Sequence, residues 1–435
     1  MELSVLILVL TFVVLLFLNV PIAISIGVAS FAAMLATIDF IPAAMTMAQR
    51  MGGGINSFSL LAIPFFILSG LLMGRGGIAH RLIEFAKVVI GMLPGGLAFV
   101  NIISCTLFGA ISGSAVAATS AIGGFMIPTM NKEGYDKNFN AAVTVASSTT
   151  GLLIPPSNIL IVYSLASGGV SIAALFVAGY LPGLLVALSL MVVCAIYAKI
   201  HNYPVGKIPT AREFARKSID AVPSLMLIVL VIGGIIGGFF TATEASVVAV
   251  LYALSLSVFV YKEVRVSDLP DILVKSVETT AIVMLLIGTS TAMSWMLSYE
   301  NIPQSISAAL MGLSDNPFII LLTINLILLC VGVFMDMTPA VLIFTPIFLP
   351  VAVELGMSPL HFGIMMVLNL CIGLCTPPVG AVLFVGCGIA KTTIGQLIKP
   401  LMPMYAAMVV ALLLVAYVPA ISEFLPIFFD LYDKP

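Results

Sequence analysis

"GLLIPPS", residues 151–157, interrupts an apolar run long enough to be a membrane helix. Two successive prolines remove two backbone donors, and the residue before a proline is pushed out of the helical region. A helix arriving here stops, and another begins beyond it. The device returns 222 residues later as "GLCTPPV", residues 373–379. Leu93-Pro94 and Asn316-Pro317 are 223 residues apart and open two apolar segments, 94–130 and 317–355. Each is nearly forty residues long with a polar or kinked centre, "GAISGSA" (109–115) and "GVFMDMTPA" (332–340). Two half-helices with a turn between them enter and leave on one face. Such a re-entrant hairpin needs protein or water around its turn.

Composition sets the surroundings. Of 435 residues 61% are hydrophobic and 8% charged, with mean hydropathy +1.23. No soluble fold hides that much apolar surface, so this is an all-α polytopic protein of the lipid bilayer. The net charge of −2 says nothing about a nucleic-acid partner, but the sequence holds no basic aromatic patch and no such partner is expected. The run 3–18 has no basic residue before it and no small-residue cleavage pattern after it, and is read as a retained membrane helix. The six cysteines lie in apolar segments and only three histidines exist, so no structural metal site is expected. There is no H-E-x-x-H, no phosphate-cradling loop and no base within reach of Ser112 or Ser114, which argues against an enzyme.

Ten crossings are expected: about 3–18, 20–38, 59–74, 139–168, 172–199, 222–240, 243–261, 276–298, 359–390 and 400–422. Fifteen lysines and arginines, from Arg75 to Lys399, then fall on one face; only Arg50 and Lys434 fall on the other. That bias puts the basic loops inside and both termini outside. Each half reads as three helices, a hairpin, a broken helix and one more helix. Five crossings per half is odd, so the second half is inverted. Inverted repeats with broken helices mark secondary transporters, with binding near the midplane.

A half-helix ending inside the membrane leaves backbone groups unpaired. Its N-terminus favours an anion and its C-terminal carbonyls a cation. Ser112 and Ser114 with the break from Gly151 to Pro155 form one candidate set of sodium ligands. Asp336 and Thr338 with the break from Gly373 to Thr376 form its counterpart. Asp336 admits three readings: a helix cap before Pro339, a proton relay, or a cation or substrate ligand. No titratable neighbour supports the relay. A carboxylate at the membrane centre costs about 2.5–3.5 kcal/mol on insertion scales, which favours the ligand role. Glu244 in "TATEAS" is read as a helix-start residue, and Arg50 as a plain surface residue.

Seven stretches together resemble one family: "SFSLLAIPFFILSGLLM" (57–73), "GMLPGGLAFVNI" (91–102), "SGSAVA" (112–117), "GLLIPPSN" (151–158), "TEAS" (243–246), "DMTPA" (336–340) and "GLCTPPVG" (373–380). Along its whole length the chain resembles the large membrane subunit of tripartite ATP-independent periplasmic (TRAP) transporters. The resemblance implies a sodium-driven elevator importer of the bacterial inner membrane, with at least two sodium sites. It implies a small four-helix membrane subunit and a periplasmic binding protein as partners. It divides the chain into scaffold and arm helices (1–93), a first hairpin with its broken helix (94–168), a scaffold helix and cytoplasmic linker (169–221), further scaffold and arm helices (222–316), a second hairpin with its broken helix (317–390) and a C-terminal helix (391–435). Substrate contacts are expected from Ser114, Ser157, Asn158 and Asp336. Sodium contacts are expected from Ser112, Ser114, Gly151, Pro155, Asp336, Thr338, Gly373 and Thr376. The cargo is an organic acid. The absence of arginine from tips and breaks leans to single-carboxylate sialic acid over a C4-dicarboxylate. A stand-alone ion-coupled exchanger or channel, needing no binding protein, is the alternative class.

Overall fold

A computed structural model describes residues 3–432 apart from Lys207, Leu313, Asp315, Pro378 and Val379. Lys434 and Lys207 of the charge count, and Pro378 of the second break, therefore lie outside the described residues. Among the described residues the chain is helical, with no β-strand. The first half runs α1 (Leu3–Phe17), α2 (Ile22–Leu35), α3 (Phe40–Ile55), α4 (Ala62–Arg75), α5 (Ile78–Ile90), α6 (Gly96–Ser112), α7 (Ala115–Lys132), α8 (Lys137–Ser148), α9 (Asn158–Ala166), α10 (Ile172–Ala178) and α11 (Tyr180–Ile200). The second runs α12 (Ala211–Ile236), α13 (Ala242–Ser255), α14 (Leu269–Tyr299), α15 (Ile302–Met311), α16 (Pro317–Phe334), α17 (Met337–Glu354), α18 (Pro359–Leu374), α19 (Ala381–Ala390), α20 (Ile394–Tyr417) and α21 (Ala420–Phe428).

Helices α6 and α7 form one hairpin, α16 and α17 the other, within two residues of the expected bounds. The two breaks separate α8 from α9 and α18 from α19. Three of the described helices lie wholly outside both the ten expected crossings and the two expected hairpins: α3, α5 and α15. Their polar residues (Gln49 and Arg50; Arg81, Glu84 and Lys87; Gln304 and Ser305) give each a wet face, so a search for uniformly apolar runs passes over them. Eight helical stretches among the described residues have the length and hydropathy of a span, including both arms of the second hairpin. Helices α1, α2, α6, α18 and α19 are shorter. Length alone therefore does not distinguish hairpin arms from crossings.

The core is built on the first halves of the two broken helices. Every residue from Phe139 to Ser148 and from Leu360 to Leu374 is buried. Helix α6 lies along α8, and α16 along α18. At the periphery Leu3, Phe17, Phe40 and Ile41 are exposed, as a lipid-facing surface requires. The basic loops meet at one end of the molecule. There Arg75 pairs with Asp271 at 2.7 Å, Lys217 with Glu84 at 2.9 Å and Arg81 with Glu263 at 3.9 Å. Glu244 closes a capping box at the start of α13, its carboxylate accepting from Thr241 N at 2.8 Å, as its place in "TATEAS" suggests.

Candidate functional site

Gly113 turns the first hairpin with φ +63°, a conformation that disfavours any side chain. A Cβ there would also stand 2.7 Å from Asn158 Nδ2. Ser114 then returns to extended backbone and starts α7, its Oγ accepting from Ala117 N at 3.2 Å. At the second tip Met335 and Asp336 are both extended. Asp336 caps α17, with Oδ1 accepting from Met337 N at 2.9 Å. Its other oxygen has no partner among the described residues, and the side chain is open to the adjoining cavity. The capping and ligand readings are thus compatible, one oxygen serving each.

The cavity between the tips has a volume of about 320 Å³. Ser112, Ser114, Asn158, Asp336 and Thr338 line its polar side, and Ile67, Val162 and Leu374 part of its apolar wall. Five predicted residues, from positions more than 220 apart, therefore meet in one place. Asn158 Oδ1 is buried there without a hydrogen bond. Helices α7, α9 and α17 all begin at this cavity, and α6, α16 and α18 end at or beside it. It thus gathers N-terminal donors and C-terminal carbonyls in one chamber. Its side-chain donors are hydroxyl, amide and carboxylate oxygens, the set a hard cation takes.

The other five predicted residues lie behind the cavity. Ser157 is fully buried, and its Oγ donates to Leu152 O at 2.5 Å across the break. Thr376 Oγ1 donates to Ile372 O at 2.8 Å. Pro155 is buried in the break itself. A Cβ on Gly151 would come 2.5 Å from Gly109 Cα, and one on Gly373 would come 2.5 Å from Gly332 Cα. Both glycines let a hairpin arm touch the backbone of its broken helix.

Sequence reasoning missed the clamps beside those contacts. Asn101 Nδ2 donates to Thr144 Oγ1 at 2.7 Å, joining α6 to α8. Asn369 Nδ2 donates to Asn325 O and Oδ1, each at 2.9 Å, joining α18 to α16. The available signal was a lone asparagine in each first arm, Asn101 and Asn325, 224 residues apart.

Residues 9–421 match the model of the family described as "Tripartite ATP-independent periplasmic transporter, DctM component". The chain belongs to this DctM family. It is accordingly the large permease subunit of a secondary transporter, not an enzyme, and a multi-pass membrane protein. Among DctM relatives, the uncharacterized protein YgiK of Salmonella typhimurium is 54% identical over 419 residues, 96% of each chain. The C4-dicarboxylate TRAP transporter large permease protein DctM of Pseudomonas aeruginosa is 42% identical over 369 residues, 85% of this chain and 86% of that one. The sialic acid TRAP transporter large permease protein SiaM of Vibrio cholerae is 39% identical over 387 residues, 89% and 90% of the two. The crystal structure of the Alcanivorax borkumensis YdaH transporter superposes with a TM-score of 0.64, covering 94% of this chain and 97% of that one. At 15% identity that likeness concerns the fold alone.

Proposed function

We propose that this DctM protein imports an organic acid, most simply a single-carboxylate sugar acid of the sialic-acid type, with sodium as co-transported cation. A small membrane subunit and a periplasmic binding protein complete the system, as in its family. One observation carries the reading. A carboxylate with a free oxygen, Asp336, shares a cavity with the N-terminal ends of three helices. The cation takes the Asp336 oxygen with the hydroxyls of Ser112, Ser114 and Thr338. The acid takes the amide of Asn158 and the N–H groups that open α7 and α9. Mutual neutralisation makes binding of either ion favour the other, which couples the two fluxes. The two hairpins and broken helices move as one elevator against the remaining helices. The two halves contribute as inverted repeats, and both termini face the periplasm.

The test is uptake into proteoliposomes holding all three components. Import of N-acetylneuraminate driven by an inward sodium gradient, and lost when the binding protein is omitted, supports the reading. Import by the chain alone, or driven by protons, overturns it. Resemblance to the Pseudomonas protein favours a C4-dicarboxylate as second substrate reading, and a thermal-shift ligand screen on the cognate binding protein decides between them.

A further inference from the structure

Helix α3 ends in the run Gly52-Gly53-Gly54 beside Arg50, at the wall of a second cavity of about 590 Å³. Arg50, a plain surface residue by sequence, lines this cavity together with Ser290, Thr291 and Ser294 of α14. Its guanidinium carbon lies 5.5 Å from the centroid of the Trp295 ring, which orients the cation without neutralising it. Among the described residues no carboxylate pairs with Arg50. Ser290 is 2% exposed, and its hydroxyl has no hydrogen-bond partner. An unpaired arginine and an orphaned hydroxyl in one concave wall call for a ligand with acceptor oxygens.

The position of this cavity says what it serves. Helix α9 lines the tip cavity at Val162 and the second cavity at Leu165. Helix α17 does so at Thr338 and Leu342, and α14 at Val283 and Ser290. At 1.5 Å per residue the two chambers sit roughly 5–10 Å apart along three shared helices. The second lies at the Arg50 face, away from the basic loops.

We infer that the Arg50 cavity is an outer anion station. It receives a small carboxylate through Arg50, Ser290 and Thr291 before that acid passes to the hairpin tips. The inference rests on the transport reading for the direction of passage, but the anion site itself does not. Concavity and size favour a small acid over a carboxylate on a partner protein.

Gly53 lines the cavity with nothing within 4 Å of where its Cβ would stand, so a side chain placed there enters free space. Gly53→Cys is therefore made in a Cys330→Ser background, since Cys330 is the exposed thiol. The chain is reconstituted with its small subunit. Its modification by anionic sulfonatoethyl and by cationic trimethylammonioethyl methanethiosulfonate is then timed. Arg50→Gln is expected to lower the anion-to-cation rate ratio about tenfold, and Arg50→Lys to restore most of it. Acetate, succinate or N-acetylneuraminate should slow modification while Arg50 is present and not after Arg50→Gln. A ratio unmoved by Arg50→Gln, or slowing by none of the acids, overturns the site. So does an Arg50→Gln effect confined to affinity for the binding protein. Uptake by the unsubstituted system reads the transport proposal separately: charge selectivity without uptake keeps the station and removes the transport reading.

Discussion

At the first hairpin tip the chain turns on Gly113, with φ +63°, and closes on the Ser114 hydroxyl; at the second it turns through extended Met335 and closes on the Asp336 carboxylate. Behind these unlike tips the supports match. Gly109 meets Gly151 and Gly332 meets Gly373, both through backbone. Asn101 clamps α6 to α8, and Asn325 clamps α16 to α18. Position is thus set by paired glycines and buried amides, and the turn residues are left to set the chemistry. Only one tip carries charge. A neutral tip and an acidic tip across one cavity make a polar axis, the arrangement a cation and an anion need if they travel together.

Removing the charge should separate the tips most widely. Asp336→Ala is expected to reduce sodium-driven uptake more than a hundredfold, while Ser114→Ala, which loses a neutral ligand and a cap, retains a measurable fraction. Initial rates in proteoliposomes decide it, with thermal unfolding in detergent confirming that both variants fold. Wild-type uptake by Asp336→Ala would return that residue to capping alone.

The supports are expected to respond alike. Gly151→Val and Gly373→Val each drive a side chain against backbone of the facing arm. Backbone cannot swing aside as a flexible side chain does, so each should destabilise by about 3 kcal/mol, the upper end for overpacking. Thermal midpoints measured for the pair should fall by similar amounts. A large fall in one half alone would break the equivalence of the supports.

Much of this was legible in sequence because the breaks are written in proline. "IPP" and "TPP" state where helices stop, and the hairpin centres declare themselves by polarity in apolar surroundings. Glycine carries more than sequence can tell. Gly151 and Gly373 suggest available carbonyls at the breaks, and the structure adds that each lets the backbone of Gly109 or Gly332 approach. Single sequence shows where a glycine is, not which backbone faces it. The same limit hid Asn101 and Asn325, whose partners lie some forty residues away on another helix. It also hid α3, whose wet face masked it as a connection, and with it the cavity beside Arg50.

The turns themselves give a smaller contrast. Gly113→Ala must hold a left-handed residue, about 1–2 kcal/mol, and crowds Asn158 Nδ2 at 2.7 Å. Met335→Ala keeps an extended backbone that any residue adopts, so its loss is limited to packing. The unfolding midpoint should fall further for Gly113→Ala, with a loss of uptake as Asn158 is displaced. Equal behaviour of the two variants would mean that the first tip does not depend on its glycine.

The smallest effect concerns the helices that lead into the hairpins. Helix α5 carries Glu84, held by Lys87 at 3.0 Å and Lys217 at 2.9 Å, whereas α15, in the corresponding place, carries no charged residue. Burial raises the Glu84 carboxyl, but the two lysines outweigh it and hold it below its ordinary value of 4.5. A depressed carboxylate contributes stability above the unfolded value and loses it as pH falls through the folded one. Because the group is partly solvated, the contribution is under about 1 kcal/mol. Glu84→Gln should therefore lower the unfolding midpoint slightly at about pH 7 and leave it unchanged well below pH 4, where the wild-type carboxyl is protonated too. The difference should shrink in high salt, which screens a pair at the membrane surface. A midpoint difference that persists at low pH would assign Glu84 a packing role and leave both approach helices electrostatically silent.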